Sequence, residues 1–131
     1  MLHGSCDCGT VKFALDGTPK MMGTCHCARC RKVGAAVFVI VEGQDFRWLE
    51  GADFVTRYEP DGALYSRAFC ARCGSSLGEA GGTGETYAIA ANAFDDDPGV
   101  RNRFHEFVAD KPEWLPIGDD AKQFPGAPSA G

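Results

Sequence analysis

The sequence is short of positive charge, with 13 Lys and Arg residues against 18 Asp and Glu residues and a formal net charge of −5. Proteins that bind nucleic acid need a basic face that displaces counterions from the phosphates. The sequence also lacks a long apolar run, since the longest, residues 35–41, is too short to cross a bilayer. We therefore predict neither a nucleic-acid partner nor a membrane partner.

We expect no secretory leader, because Met1 to Gly4 contain neither a basic region nor an apolar stretch. The seven cysteines are an odd number, which does not suit a complete set of disulfides. Closely spaced thiols in a reducing compartment usually bind metal. The sequence thus predicts a cytoplasmic protein whose cysteines are reduced.

The length of 131 residues suits one domain, because two cores of half that size would each bury little surface. Seventeen Gly and seven Pro residues favour many turns over long helices. We predict a single zinc-binding domain over residues 1–131, with residues 125–131 as a flexible tail.

Short strands are the main predicted elements. Val11, Phe13 and Leu15 alternate with less apolar residues across 10–16, as in a strand with one buried face. Further strands are predicted at residues 36–41, 54–59, 63–69, 86–91 and 104–108. The 36–41 strand is expected to be buried on both faces, and the Pro60-Asp61-Gly62 turn predicts a hairpin of the next two. Only residues 119–123 are expected to form a helical turn.

The cysteines fall into three clusters in the sequence. They are Cys6 and Cys8, then Cys25, Cys27 and Cys30, then Cys70 and Cys73. Zinc is bound by sulfur at about 2.3 Å in a tetrahedron, and a tight Cys-x-x-Cys turn brings two sulfurs together. Gly9 and Gly74 directly follow two of the clusters and suit the left-handed backbone of such turns. The spacing therefore predicts metal-binding turns.

We expect the seven thiols to divide into two sites. Cys6, Cys8, Cys70 and Cys73, here called the outer cluster, complete four ligands and predict a closed structural zinc site. Cys25, Cys27 and Cys30, here called the inner trio, lie within six residues and leave a fourth position open. An open position is typical of catalytic zinc. The prediction is therefore two zinc ions per chain.

Other interpretations of the cysteines remain open at this point. An outer cysteine is able to join the trio, or both ions are structural and His3, His26 or His105 completes the second site. A redox Cys-x-x-Cys lacks the βαβ context that it requires, and the spacing matches neither ferredoxin pattern.

Three segments carry a resemblance that spans nearly the whole chain. They are GSCDCGTVKF at residues 4–13, CHCARCRK at 25–32 and FCARCG at 69–74. With Asp96-Asp97-Pro98, His105-Glu-Phe107 and Trp114 later in the chain, the sequence resembles the glutathione-dependent formaldehyde-activating enzyme family, which also contains centromere protein V.

The resemblance implies an all-β fold, a β-tent of short antiparallel strands stabilised by zinc. It also implies the same division of ligands, with a structural zinc on the outer cluster and a catalytic zinc on the inner trio. The implied activity is that of a zinc-dependent carbon–sulfur lyase that forms or cleaves a thiol–aldehyde adduct such as S-hydroxymethylglutathione. The implied partner is a small thiol such as glutathione.

Further candidate residues lie in the central segment. His26 is a candidate proton shuttle, although a residue between two ligands usually points away from the metal. Arg29, Arg31 and Lys32 are candidates to bind substrate carboxylates by charge-assisted hydrogen bonds, or else form a solvated basic patch. The alternative function is a non-catalytic, zinc-stabilised interaction module, in which a fixed protein ligand would fill the fourth position at the trio.

Overall fold

The structure, a computed structural model, describes residues 1–34, 36–62 and 65–128. Its regular elements are mostly strands, and it contains one short α-helix, α1 (Ala28–Val33), in the described part of the chain. The strands are β1 (Leu2–Ser5), β2 (Lys12–Leu15), β3 (Met21–Cys25), β4 (Val37–Glu42), β5 (Phe46–Glu50), β6 (Val55–Tyr58), β7 (Arg67–Cys70), β8 (Ser76–Gly78), β9 (Thr86–Ala90), β10 (Asn102–Glu106) and β11 (Lys122–Gln123). The predicted all-β fold class is therefore confirmed.

The strands form three small sheets, in the orders β1-β2-β5, β11-β10-β3-β4-β9 and β6-β7-β8. Most neighbours are antiparallel, as expected. β10 differs, because it pairs in parallel with both β3 and β11. The largest sheet is thus mixed, and it places the end of β3 beside the end of β10.

The centre of the core is an aromatic cluster around Phe13 on β2. Its ring contacts Phe46, Trp48 and Phe94, with centroid distances of 5.3, 6.4 and 5.5 Å. Gly4 on the neighbouring strand β1 has no side chain, and a Cβ there would overlap the Phe13 ring. The strand predicted here is confirmed as β2, but its single buried face is not: Phe13 and Leu15 are buried as expected and Lys12 is exposed, yet Ala14 between them is fully buried as well.

The predicted hairpin is confirmed by the antiparallel pairing of β6 with β7, in which Val55 lies opposite Cys70. Gly62 in the connecting turn has a φ of 73°. Residues 63 and 64, where the second predicted strand begins, lie outside the described residues.

Burial in β4 differs from the expectation. Val39 and Val41 are fully buried, but Phe38 and Ile40 on the other face are only half-buried. The reason is that this face borders a cavity.

The predicted helical turn at 119–123 is wrong. Lys122 and Gln123 instead form β11, held against β10. The helix lies at α1, where Cys27 Sγ accepts a hydrogen bond from Cys30 N and Gly34 ends the helix with a φ of 76°. α1 buries no residue, so it has no apolar periodicity by which to find it.

At the C-terminus, Pro125 O and Gly126 O accept hydrogen bonds from Ala109 N and Phe107 N. The flexibility of residues 125–131 stays a prediction, and residues 129–131 lie outside the described part. Within the described residues, no helix is both long enough and apolar enough to cross a membrane.

Candidate functional site

The outer cluster is assembled by one turn near the N-terminus and a second turn from the middle of the chain. The sulfurs of Cys6, Cys8, Cys70 and Cys73 all lie within 4.8 Å of one another. The first turn is closed by a hydrogen bond from Gly9 N to Cys6 O, and the second by one from Gly74 N to Cys70 O. Gly9 and Gly74 have φ angles of 77° and 78°, the left-handed conformation predicted for them.

The sulfur separations in the outer cluster fit a tetrahedral metal ion. Cys6 Sγ lies 3.7 Å from Cys8 Sγ, and Cys8 Sγ lies 3.9 Å from Cys70 Sγ. Zinc–sulfur bonds of 2.3 Å give a tetrahedron whose edges are about 3.8 Å. Burial raises the pKa of Cys6 to about 11, while a hydrogen bond with Ser75 lowers that of Cys73 to about 6. The four thiols therefore fit a shared cation.

The inner trio is formed where β3 passes into α1. Cys25 ends β3, Cys27 caps the helix and Cys30 lies in its first turn, with their three sulfurs within 4.8 Å of one another. Cys25 and Cys27 are buried. The hydrogen bond with Cys25 lowers the pKa of Cys30 to about 6, and the same contact raises the pKa of Cys25. This uneven sharing of one proton is typical of thiols crowded into one site.

The trio gains no fourth His, Cys, Asp or Glu ligand from the described residues. His3 lies at the surface, with its Nδ1 atom 3.5 Å from Asp96 Oδ2. His26 Nε2 lies 2.8 Å from His105 Nδ1, and the two rings are stacked. The structure thus brings none of the three candidate histidines to the trio as a ligand.

His26 and His105 belong to a hydrogen-bonded chain that ends at Asp119. His105 Nε2 lies 2.8 Å from Asp119 Oδ1. Because a carboxylate only accepts, His105 Nε2 carries the hydrogen, and His105 Nδ1 then accepts from His26 Nε2. Burial, followed by His105 and Lys111, lowers the pKa of His26. The backbone between Cys25 and Cys27 is also held, by a hydrogen bond of 3.0 Å from His26 N to Glu106 O.

A cavity of about 280 Å³ opens above the inner trio. Besides the three cysteines, its lining residues are Arg29, Phe38, Ile40, Tyr65, Arg67, Gly78, Glu79, Ala88, Ala90, Glu106 and Phe107. Two larger clefts, of about 560 and 490 Å³, lie elsewhere, and neither is lined by the trio. The chemistry of three sulfurs, rather than volume, identifies the smaller cavity as the candidate site.

Among the predicted substrate contacts, only Arg29 lies at the cavity, with its guanidinium 4.7 Å from the centroid of the Tyr65 ring. Arg31 and Lys32 are exposed on α1 and do not line the cavity. His26, the predicted proton shuttle, is not among the lining residues either.

Sequence reasoning missed several residues at the cavity. Arg67 Nη2 donates a hydrogen bond of 3.3 Å to Cys30 Sγ. Burial raises the pKa of Glu79, opposed by attraction to Arg67, and raises that of Glu106, opposed by a hydrogen bond with Cys25. These side chains come from three separate strands or turns, so no local spacing connects them.

Phe107 was missed for a different reason. It directly follows β10 and has a φ of 55°, the one non-glycine residue in the described chain with a positive φ. A left-handed conformation costs such a residue roughly 1–2 kcal/mol, and such strain clusters at functional sites. Phe107 N donates to Gly126 O, which helps to hold the ring at the cavity.

A small all-β fold with four sulfurs gathered on one side and three sulfurs at a cavity defines a class of thiol-rich proteins whose clusters could hold metal ions. The sequence model of one family, "Glutathione-dependent formaldehyde-activating enzyme", matches residues 1–110, and the chain belongs to this family.

Two similar proteins support the assignment. A Halomonas elongata protein that carries the family's name is 33% identical over 127 residues, which cover 89% of this chain and 81% of that protein. The crystal structure of a Rhodobacter sphaeroides protein is 25% identical and has a TM-score of 0.57, covering 76% of this chain and 90% of the other. The second likeness supports the fold, and the first supports the family.

Proposed function

We propose that this chain is a zinc-dependent carbon–sulfur lyase that forms or cleaves an adduct of a small thiol and formaldehyde, such as S-hydroxymethylglutathione. The observation that carries the proposal is the inner trio, whose three sulfurs converge at a cavity without a fourth described protein ligand. Three protein ligands with an open position are typical of a catalytic zinc site. Family membership supports glutathione and formaldehyde as the reactants.

We further propose that the outer cluster holds a structural zinc, which gives two ions per chain. Its four sulfurs match the number and separation of ligands in a closed tetrahedral site. In this proposal the zinc of the outer cluster stabilises the fold, and the zinc of the inner trio takes part in catalysis.

Zinc held by the trio would supply a Lewis acid that favours the thiolate form of a substrate thiol. Formation of the adduct joins this sulfur to the formaldehyde carbon, and the carbonyl oxygen takes up a proton. Cleavage is the reverse, in which the hydroxyl proton leaves and the carbon–sulfur bond breaks.

The cavity side chains have distinct parts in the proposed reaction. Phe38 and Ile40 form an apolar wall of the cavity that suits the carbon chain of a small thiol. Arg29 is exposed at the cavity and suits a carboxylate of the thiol substrate. Arg31, on the same helix but outside the cavity, offers a matched control for Arg29.

Exchange NMR of glutathione with carbon-13 formaldehyde tests the proposal. The zinc-loaded protein should speed exchange between free and adduct forms, and Cys27→Ser should not. Arg29→Gln should weaken the acceleration of exchange with glutathione but not with 2-mercaptoethanol, which lacks a carboxylate, and Arg31→Gln should behave as wild type. No acceleration by a protein holding two zinc ions would contradict the lyase and favour an interaction module.

A further inference from the structure

Arg67 occupies an unusual position between the two cysteine clusters. It begins β7, and Cys70 of the outer cluster ends the same strand. Because strand side chains alternate between faces, Arg67 and Cys70 lie on opposite faces, and Arg67 faces the cavity of the inner trio. One four-residue strand therefore contributes to both sites.

The Arg67 guanidinium is held on several sides. Its Nη2 atom donates to Cys30 Sγ at 3.3 Å, its Nη1 atom lies 3.9 Å from Glu79 Oε1, and its centre lies 4.6 Å from the Tyr65 ring centroid. The side chain is only 15% exposed. Its buried Nε atom has no hydrogen-bond partner among the described residues. A cation is thus fixed against one trio sulfur, out of bulk water.

The position of this cation matters because the trio concentrates negative charge. Three thiolates on one divalent cation leave a net charge near −1, and a substrate thiolate would add another negative charge. A nearby guanidinium offsets that charge more strongly in a partly buried site than at the surface. Hydrogen bonds from surrounding residues also tune the ligands of metal sites, and their removal typically costs 10–100-fold in metal affinity or activity.

We propose that Arg67 is a positioning residue that stabilises the charge of the trio through Cys30, and that it thereby makes the open position selective for an anionic sulfur over a neutral ligand. This inference rests on the proposed function, because it concerns the thiol that the lyase would bind. The selectivity for an anionic sulfur would come from the Arg67 guanidinium on β7. It would not depend on the binding of substrate carboxylates.

Arg57 provides a matched control. It lies on β6, adjacent to β7 in the same sheet, and is also half-buried. Its guanidinium donates to Ala80 O at 2.6 Å and to Ser66 Oγ at 3.3 Å, and it does not line the cavity. Arg57→Gln therefore removes an arginine with a structural role, at a distance from the trio.

The experiment compares wild type, Arg67→Gln, Arg67→Lys and Arg57→Gln. Competition with a chromophoric chelator measures zinc affinity, and absorption of the cobalt-loaded proteins measures the binding of 2-mercaptoethanol and of imidazole. 2-Mercaptoethanol has no carboxylate, so it reports on the sulfur alone, while imidazole is a neutral ligand.

Arg67→Gln should lower the zinc affinity of the weaker of the two sites by about 10–100-fold. It should weaken 2-mercaptoethanol binding by about tenfold or more, the size of one charge-assisted hydrogen bond, while imidazole binding stays close to that of wild type. Arg67→Lys should recover part of the loss because it keeps the charge, and Arg57→Gln should show neither loss.

Wild-type behaviour of Arg67→Gln would overturn the inference, and so would equal losses for 2-mercaptoethanol and imidazole, which would indicate a merely structural role. Selective, Arg67-dependent thiol binding in a protein that does not speed formaldehyde exchange would support the inference and refute the lyase. A wild-type protein that binds no thiol would overturn both.

Discussion

Replacing Cys70 by Ser should abolish the fold, because this residue joins the end of β7 to the N-terminal turn. Cys70 is fully buried, and its sulfur lies 3.9 Å from Cys8 Sγ, although the two residues are 62 positions apart. A serine hydroxyl is a poor substitute for a thiolate ligand of zinc, and it would be left buried beside three charged sulfurs.

The size of the effect follows from the length of chain that each site closes. By the chain-entropy relation for a cross-link, closing the long segment between Cys8 and Cys70 is worth about 4 kcal/mol, against about 2 kcal/mol for the short segment from Cys25 to Cys30. Structural zinc in small peptides contributes about 10–16 kcal/mol in all, while a domain is stable by about 5–15 kcal/mol. The free energy lost with the outer site should therefore be as large as, or larger than, the whole free energy of unfolding of the domain.

Circular dichroism during heating measures the thermal unfolding of the protein, and native mass spectrometry counts the metal ions that it binds. Cys70→Ser should show no cooperative unfolding transition, or should aggregate, whereas Cys27→Ser should unfold cooperatively. Unfolding of Cys70→Ser at the wild-type temperature with two metal ions bound would show that the outer cluster does not hold the fold together.

Three further changes have outcomes that the structure predicts. Cys27→Ser should hold one zinc ion and lose formaldehyde exchange, and retention of two ions by mass spectrometry would contradict the division of ligands. Gly4→Ala should destabilise the zinc-loaded protein by about 1–3 kcal/mol in urea unfolding, because its Cβ would overlap the Phe13 ring; an unchanged midpoint would count against this packing. The hydrogen bond from His105 holds the pKa of the Asp119 carboxyl below its usual value of about 3.9. The contact therefore stabilises the fold at neutral pH. This contribution is lost as the pH falls through the lowered pKa. In His105→Ala, carbon-13 NMR should show the pKa of Asp119 moving up toward its ordinary value, and no movement would exclude His105 as the cause.

The cysteine spacing predicted the two clusters because their ligands come in pairs and triplets that are close in sequence. The convergence of Cys6 and Cys70 could be predicted only from the number of ligands that a closed site needs, since no local signal joins them. β2 was predictable because Phe13 and Leu15 alternate with Lys12 and Ala14, whereas the burial of Ala14 depends on tertiary packing that the alternation does not show.

Other elements were hidden because tertiary contacts define them. α1 has no buried face, and its start depends on the side chain of Cys27, a metal-ligand candidate that also caps the helix. β11 has two residues and exists through its pairing with β10. Arg67, Glu79 and Glu106 meet at the cavity only when β7, the turn after β8 and β10 come together, so no spacing along the chain connects them.

We expect the inner trio to be open to a thiol and the outer cluster to be closed. Two-dimensional NMR of the backbone amides of the zinc-loaded protein, recorded during a glutathione titration, tests it most directly. Shifts are expected at residues 25–30 and at the cavity, with residues 6–8 and 70–73 unchanged. No shift at the trio with millimolar glutathione, or equal shifts at both clusters because the thiol removes metal, would contradict it.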